Sequence, residues 1–277
     1  MIGKVTSQPS SGSTSAPVPF ADRRAEDAPG HWLLASLGKR VLRPGGRGLT
    51  ERMLAALQVT DHDVVELAPG LGLTAGLLLD RQPASYTGVE QDRTASALSS
   101  AALGGRGRVV NGSAQQTGLA DASADVAVNE AMLTMNTDKA KRQIIAETAR
   151  ILRPGGQYAI HELALVPDDI AEPVATDLRR ALARSIKVNA RPLTVAEWTA
   201  LLAGAGFEVD AVYTADMALL EFRRLIADEG VRGTLRIAAN YLRRPDARRR
   251  VNGMWLTFHR HRHSLAAVAI VARKPAA

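Results

Sequence analysis

Two carboxylates and a run of small residues are the first group in this chain able to do chemistry together. Asp63-Val64-Val65-Glu66-Leu67 is a short apolar, β-branched segment ended by Pro69 and Gly70, and it reads as a buried strand with an acid inside it. In the turn that follows, Gly70 and Gly72 permit a tight backbone and leave no Cβ to obstruct a ligand. Tyr86 to Glu90 reads as a second strand ending in a carboxylate, which can accept hydrogen bonds from ribose hydroxyls. Two further pairs, Asn129-Glu130 and His161-Glu162, close two later strand-like segments. Strand C-terminal ends are where open α/β sheets bind ligands. Among these side chains His161 is the first candidate for a general base, because its unperturbed pKa lies close to neutrality. Glu130 and Glu162 follow it.

Two ligand classes fit the first group. Gly70-x-Gly72-x-x-Ala75 satisfies the dinucleotide pattern, and Glu90 lies near the matching distance. Glu66 weighs the other way, since a carboxylate before the turn repels a pyrophosphate. It suits the α-ammonium group of S-adenosylmethionine, directly or through water. Glu66-Leu67-Ala68-Pro69-Gly70-Leu71-Gly72 resembles the first motif of class I S-adenosylmethionine-dependent methyltransferases, with Ala68 in place of the first glycine. Gly88-Val89-Glu90 resembles their ribose-binding motif. Leu152-Arg153-Pro154-Gly155-Gly156 before a strand, and the phrase from Trp198 to Phe207, are also similar to the family.

The resemblance implies S-adenosylmethionine as cofactor, held by Glu66, Ala68, Gly70, Gly72, Glu90 and Gln91. It puts Ser113 and Ala114 beside the adenine, where the family usually has an acid, and Asn129 at the methionine portion. The implied reaction is displacement at the sulfonium methyl by an acceptor nucleophile, in the manner of the small-molecule, ubiquinone/menaquinone-type branch. The acceptor is then small and partly hydrophobic. A nucleic-acid methyltransferase using an Arg-rich insertion, and a non-catalytic S-adenosylmethionine-binding protein, are the alternatives.

The alternation of strand-like and helix-like segments around these residues reads as an α/β fold. The resemblance implies a Rossmann-like, mostly parallel seven-stranded sheet with helices on both faces, its last strand antiparallel beside the fifth. Helices are read at His31–Leu42, at Glu51–Gln58 with Thr50 as cap, at Thr74–Asp80, at Arg93–Leu103 and from Thr137 or Asp138 to Leu152. Asp168–Val188 is amphipathic, and Thr194-Val195-Ala196-Glu197 is a capping box. Residues 1–29 read as a disordered tail, rich in Ser, Pro, Gly and Ala. Residues 30–277 read as the catalytic domain, with helical cap segments at 30–60, 165–192 and 218–262. In that cap Trp32 and His31 either line the site or anchor a helix to the core.

Composition narrows the classes. With no cysteine there are no disulfides, thiolate metal sites or cysteine nucleophiles. The net charge of +7 suits an anionic partner, but the arginines of 218–262 are scattered and lack aromatic stacking partners, so no specific nucleic acid is expected. His259, His261 and His263 alternate with Arg260 and Arg262, which repel a cation, so no metal is expected. No stretch reads as a signal peptide or a membrane span, which gives the expectation of a cytoplasmic enzyme without a membrane partner, possible as a homodimer.

Overall fold

The computed structural model describes residues 18–20 and 23–276. Most of the expected tail, residues 1–17, lies outside the described residues. The domain edge lies earlier than 30, because Ala25 and Ala28 are buried in the cluster that holds the first helix. The side chain of Arg250 donates to both of their carbonyl oxygens.

The first βαβ unit forms where its pattern places it. β1 (Asp63–Leu67) is followed by α3 (Leu73–Leu79) and β2 (Ser85–Glu90). Next come α4 (Arg93–Leu103), capped by the Asp92 side chain, β3 (Arg108–Asn111) and β4 (Ala124–Glu130). α5 (Asp138–Ile151), capped by Thr137, leads into β5 (Leu152–Leu165). α6 (Glu172–Ile186), the two-residue β6 (Leu193–Thr194), α7 (Val195–Ala203) and β7 (Glu208–Asp216) follow. β8 (Leu265–Arg273) closes the sheet. Strand order is β3-β2-β1-β4-β5-β8-β7, with β6 paired to β5 off that path. β8 runs antiparallel to both neighbours, and the remaining pairs are parallel. The seven-stranded order with an antiparallel last strand beside β5 is the expected one; the short β6 is an addition.

Strand side chains alternate between two cores, as a period of two requires. Val65, Leu67 and Ile160 point toward α5 and α7, where Ile144, Ile145 and Trp198 pack. Val64, Val126 and Ala159 point the other way, toward Leu54 of α2 (Gly46–Ala55), Leu78 of α3 and Leu103 of α4. The sheet is therefore covered on both faces. The ends of β1, β2, β4 and β5 open at one edge of this sandwich.

The cap is built from separate pieces of chain. α1 (Gly30–Ser36), α6 and α9 (Pro245–Arg260) pack together, while α8 (Phe222–Arg243) lies against α9 and α2. α8 is broken at Gly230, whose φ of 69° and ψ of 174° are not helical. Two sequence expectations change here. α1 stops at Ser36 and not at Leu42, because the chain turns at Gly38 with a φ of 98°. α2 begins at Gly46, so Thr50 lies within the helix and its hydroxyl serves another purpose.

Candidate active site

The open edge of the sheet holds a cavity of about 630 Å³. Glu66, Ala68, Gly70, Glu90, Gln91 and Ala114 line one end of it. Glu66 is buried and, among the described residues, takes a single hydrogen bond, from the Tyr86 hydroxyl at 2.6 Å. Burial raises its pKa to about 8 against the help of Tyr86, and the neighbouring Glu130 adds to the rise. A nearly unpartnered buried carboxylate at a cavity wall suits a cation. Glu90 accepts the backbone N–H groups of Gly70 and Asp92, one on each oxygen at 3.1 Å. This fixes the carboxylate in the cavity wall with lone pairs left for hydroxyl donors. Burial raises its pKa as well.

The turn itself has a division of labour that spacing alone conceals. Gly70 has a φ of 55°, and a Cβ there would find nothing nearer than the Ala68 carbonyl oxygen at 4.0 Å. It is the residue that leaves room on the ligand side. Gly72 faces α4 instead: a Cβ would sit 2.7 Å from that of Ala102 and 3.2 Å from the Ser99 backbone. Gly72 is therefore a packing residue and does not line the cavity. Ala68 adopts a φ of 57°, the left-handed conformation that glycine takes without strain.

The other site expectations divide in the same way. Ser113 turns away, its hydroxyl donating to Gln115 Oε1, and the wall there is made by Gly112, Ala114 and Gln115. Asn129 is wholly buried between two structural partners, accepting from the Tyr158 hydroxyl at 2.6 Å and donating to Glu162. It is not among the residues that line the cavity. Glu162 lies at the wall, but its oxygens accept the backbone N–H groups of Met132, Leu133 and Thr134 and the Thr134 hydroxyl. Those donors tie down the 3-10 turn Leu133–Met135, so Glu162 anchors a loop with both of its oxygens engaged.

His161 also changes role. It is wholly buried with Nε2 2.6 Å from the Pro44 carbonyl oxygen and Nδ1 2.7 Å from Glu130 Oε1. Both ring nitrogens face oxygen acceptors, and the ring is absent from the cavity wall. Neither ring nitrogen faces the cavity, where an acceptor would lie. Glu130 is the hub of this network. Thr50 donates to one of its oxygens at 2.5 Å, Arg43 to the other at 2.5 Å, and Thr74 joins Arg43 there. Burial opposes its charge, but Arg43 and His161 hold its pKa down to about 2. Such a carboxylate is permanently ionised and fully engaged. The sequence pointed to the acid at the end of β4 but not to Arg43 or Thr50, which come from a loop and a helix interior.

The far end of the cavity is apolar. Trp32, Ile186, Met217, Leu219, Met254 and Phe258 line it, drawn from four separated stretches of chain. His31 lies among them with its ring packed at 5.0 Å from Trp32, and neither ring nitrogen has a hydrogen-bond partner among the described residues. Its depth in the molecule lowers its pKa to about 4, although the cavity leaves the ring partly accessible.

Known proteins agree with this geometry. Residues 65–160 match the family model described as a methyltransferase domain. An uncharacterized protein of Haemophilus influenzae is 34% identical over 256 residues, covering 90% of this chain and all of that protein. Among solved structures, the phosphoethanolamine N-methyltransferase 2 of Haemonchus contortus in complex with S-adenosyl-L-methionine superposes with a TM-score of 0.67 at 14% identity. The match covers 95% of this chain and 61% of that one. The MccD protein gives a TM-score of 0.66 at 14% identity, over 84% of this chain and 99% of that one. At such identities the structures speak for the fold. The family match and the full-length relative, together with a carboxylate-lined cavity at the ends of β1 and β2, place the chain in the class I S-adenosylmethionine-dependent methyltransferases.

Proposed function

We propose that the enzyme methylates a small, largely apolar acceptor, and that His31 receives the proton the acceptor loses. The observation that carries this reading is the single cavity. Its carboxylate end and its apolar end are continuous, so cofactor and acceptor would meet inside one cavity. Glu66 would hold the ammonium group, Glu90 the ribose hydroxyls, and Gly70 with Ala114 the remaining wall of the cofactor. The cofactor supplies a methyl group already activated on a sulfonium. What the chain adds is alignment of the acceptor with that carbon, and exclusion of water by Trp32, Met217, Met254 and Phe258. A pocket with an apolar end of this kind suits a small, largely apolar acceptor. His31 presents an unengaged ring to the cavity, whereas both ring nitrogens of His161 are taken up by Pro44 and Glu130 away from it.

The test is release of S-adenosylhomocysteine across a panel of small phenols, amines and thiols of graded hydrophobicity, with a structured RNA as comparison. Turnover is expected with an apolar member of the panel. His31→Ala should lower it about a hundredfold while S-adenosylmethionine affinity stays near that of the parent. His161→Ala should instead cost roughly 2–4 kcal/mol of stability, through the unpaired Pro44 carbonyl and the loosened Glu130, and leave turnover per folded molecule unchanged. Methylation of the RNA alone, or equal turnover in the His31 variant, would overturn the reading.

A further inference from the structure

The outer face of α8 has a composition that the fold and the site do not use. After the break at Gly230 its buried side is set by Thr234 and Ile237. Val231, Leu235 and Leu242 lie beside that side on the helix surface, 65%, 64% and 65% exposed. With Ala238 they occur at steps of four, three and four residues, which puts them within about 60° of the helix circumference. Phe222 at the start of α8 is 67% exposed, and Leu256 and Trp255 on α9 are also exposed. Isolated exposed apolar residues are ordinary, but a stripe on one helix is an interaction surface.

The charge around the stripe decides what covers it. Arg223, Arg232, Arg236 and Arg243 of α8 and Arg249 and Arg260 of α9 are exposed. The two acids of α8, Asp228 and Glu229, are turned inward with side chains almost wholly buried near Lys39. Asp246 is the exposed carboxylate of α9. A second copy of the chain would bring arginine against arginine across the seam, with few carboxylates to answer them. A nucleic acid would satisfy the arginines but leave the leucines and Phe222 against water. A bilayer with anionic headgroups satisfies both, because its interface takes up apolar side chains while its surface attracts cations.

We propose that the α8–α9 cap docks on an anionic lipid bilayer, with Phe222, Val231, Leu235 and Leu242 entering the interface and the surrounding arginines on the headgroups. This is peripheral contact: no helix among the described residues is long and apolar enough to cross a membrane. It goes beyond the methyl-transfer reading and does not depend on the acceptor, since none of these side chains lines the cavity.

The experiment is co-sedimentation of the full chain with extruded vesicles of phosphatidylcholine alone or mixed with phosphatidylglycerol. Binding is expected only to the mixed vesicles, and it should weaken as salt rises. The double variant Leu235→Glu, Leu242→Glu should lower vesicle affinity about tenfold or more, with an unchanged melting temperature and S-adenosylmethionine affinity. Arg232→Glu, Arg243→Glu should weaken binding on the same vesicles by a comparable factor. Equal binding by parent and leucine variant, or no binding to the anionic vesicles, would overturn the proposal. So would a dimer in light scattering that the leucine variant dissociates, or a structured RNA bound more tightly than the vesicles.

Discussion

Glu66 is a carboxylate whose protonation is set by a missing partner. With Tyr86 as its one donor, burial raises its pKa from 4.5 to about 8, so near neutral pH it holds a proton that the unfolded chain would release. The sign follows from that difference. Stability of the ligand-free protein is greatest below about pH 4.5 as far as Glu66 is concerned, and it falls as pH rises through about 8. A cation beside Glu66 favours the ionised form, so binding should expel the proton and affinity should rise with pH toward about 8. Titration calorimetry of S-adenosylmethionine at pH 7 in two buffers of different ionisation enthalpy should show this proton release. Glu66→Gln should remove most of it, weaken binding about tenfold or more, and stabilise the free protein at neutral pH. Buffer-independent heats in the parent protein would show that Glu66 is not the cation's partner. At this scale the strand-end pattern was enough to point to Glu66 and Glu90, which line the cavity. It does not show how His161 and Asn129 are engaged, because their contacts with Pro44, Tyr158 and Glu162 come from segments remote in sequence.

Among elements, the loop after β4 depends on a side chain from β5. Glu162 replaces the intrahelical partners that the first N–H groups of the Leu133–Met135 turn lack, as a cap does at any helix start. Glu162→Ala would leave these donors buried without an acceptor, at a cost of roughly 2–4 kcal/mol. Denaturant unfolding should report that loss, and hydrogen exchange should locate it at residues 131–136. Equal stability in the variant would mean that water takes over the role. Burial also raises the pKa of Glu162, against these same donors. Most of the sheet was legible because each strand carries its own signal: β-branched residues, a glycine or proline stop, and caps such as Thr137 and the Thr194–Glu197 box. α1 and α2 were less so. Their limits are fixed by Gly38, Gly45 and Gly46 at positive φ, and that conformation serves packing against Arg236, Ala267 and Asp228, partners a local pattern does not contain.

Across the whole molecule, the apolar end of the cavity was the part least visible in the chain. Its wall gathers Trp32, Ile186, Met217 and Met254 from positions far apart in sequence, none of which carries a motif. Only the fold brings them together. The same long-range assembly joins the cap to the network at the end of β4. Glu229 accepts the backbone N–H groups of Arg40 and Val41 at 2.7 and 2.8 Å, and Asp228 accepts that of Arg47 at 2.9 Å. Lys39 lies buried beside both acids, its pKa lowered by burial despite them. Glu229→Gln should therefore raise amide exchange in residues 39–47 and in the first half of α8 together, measured by mass spectrometry. Faster exchange in one segment without the other would separate them. The two acids amount to a hinge pin. Any displacement of α8 would carry with it the strip bearing Arg43 and Pro44, and so the wall that these two residues give the cavity.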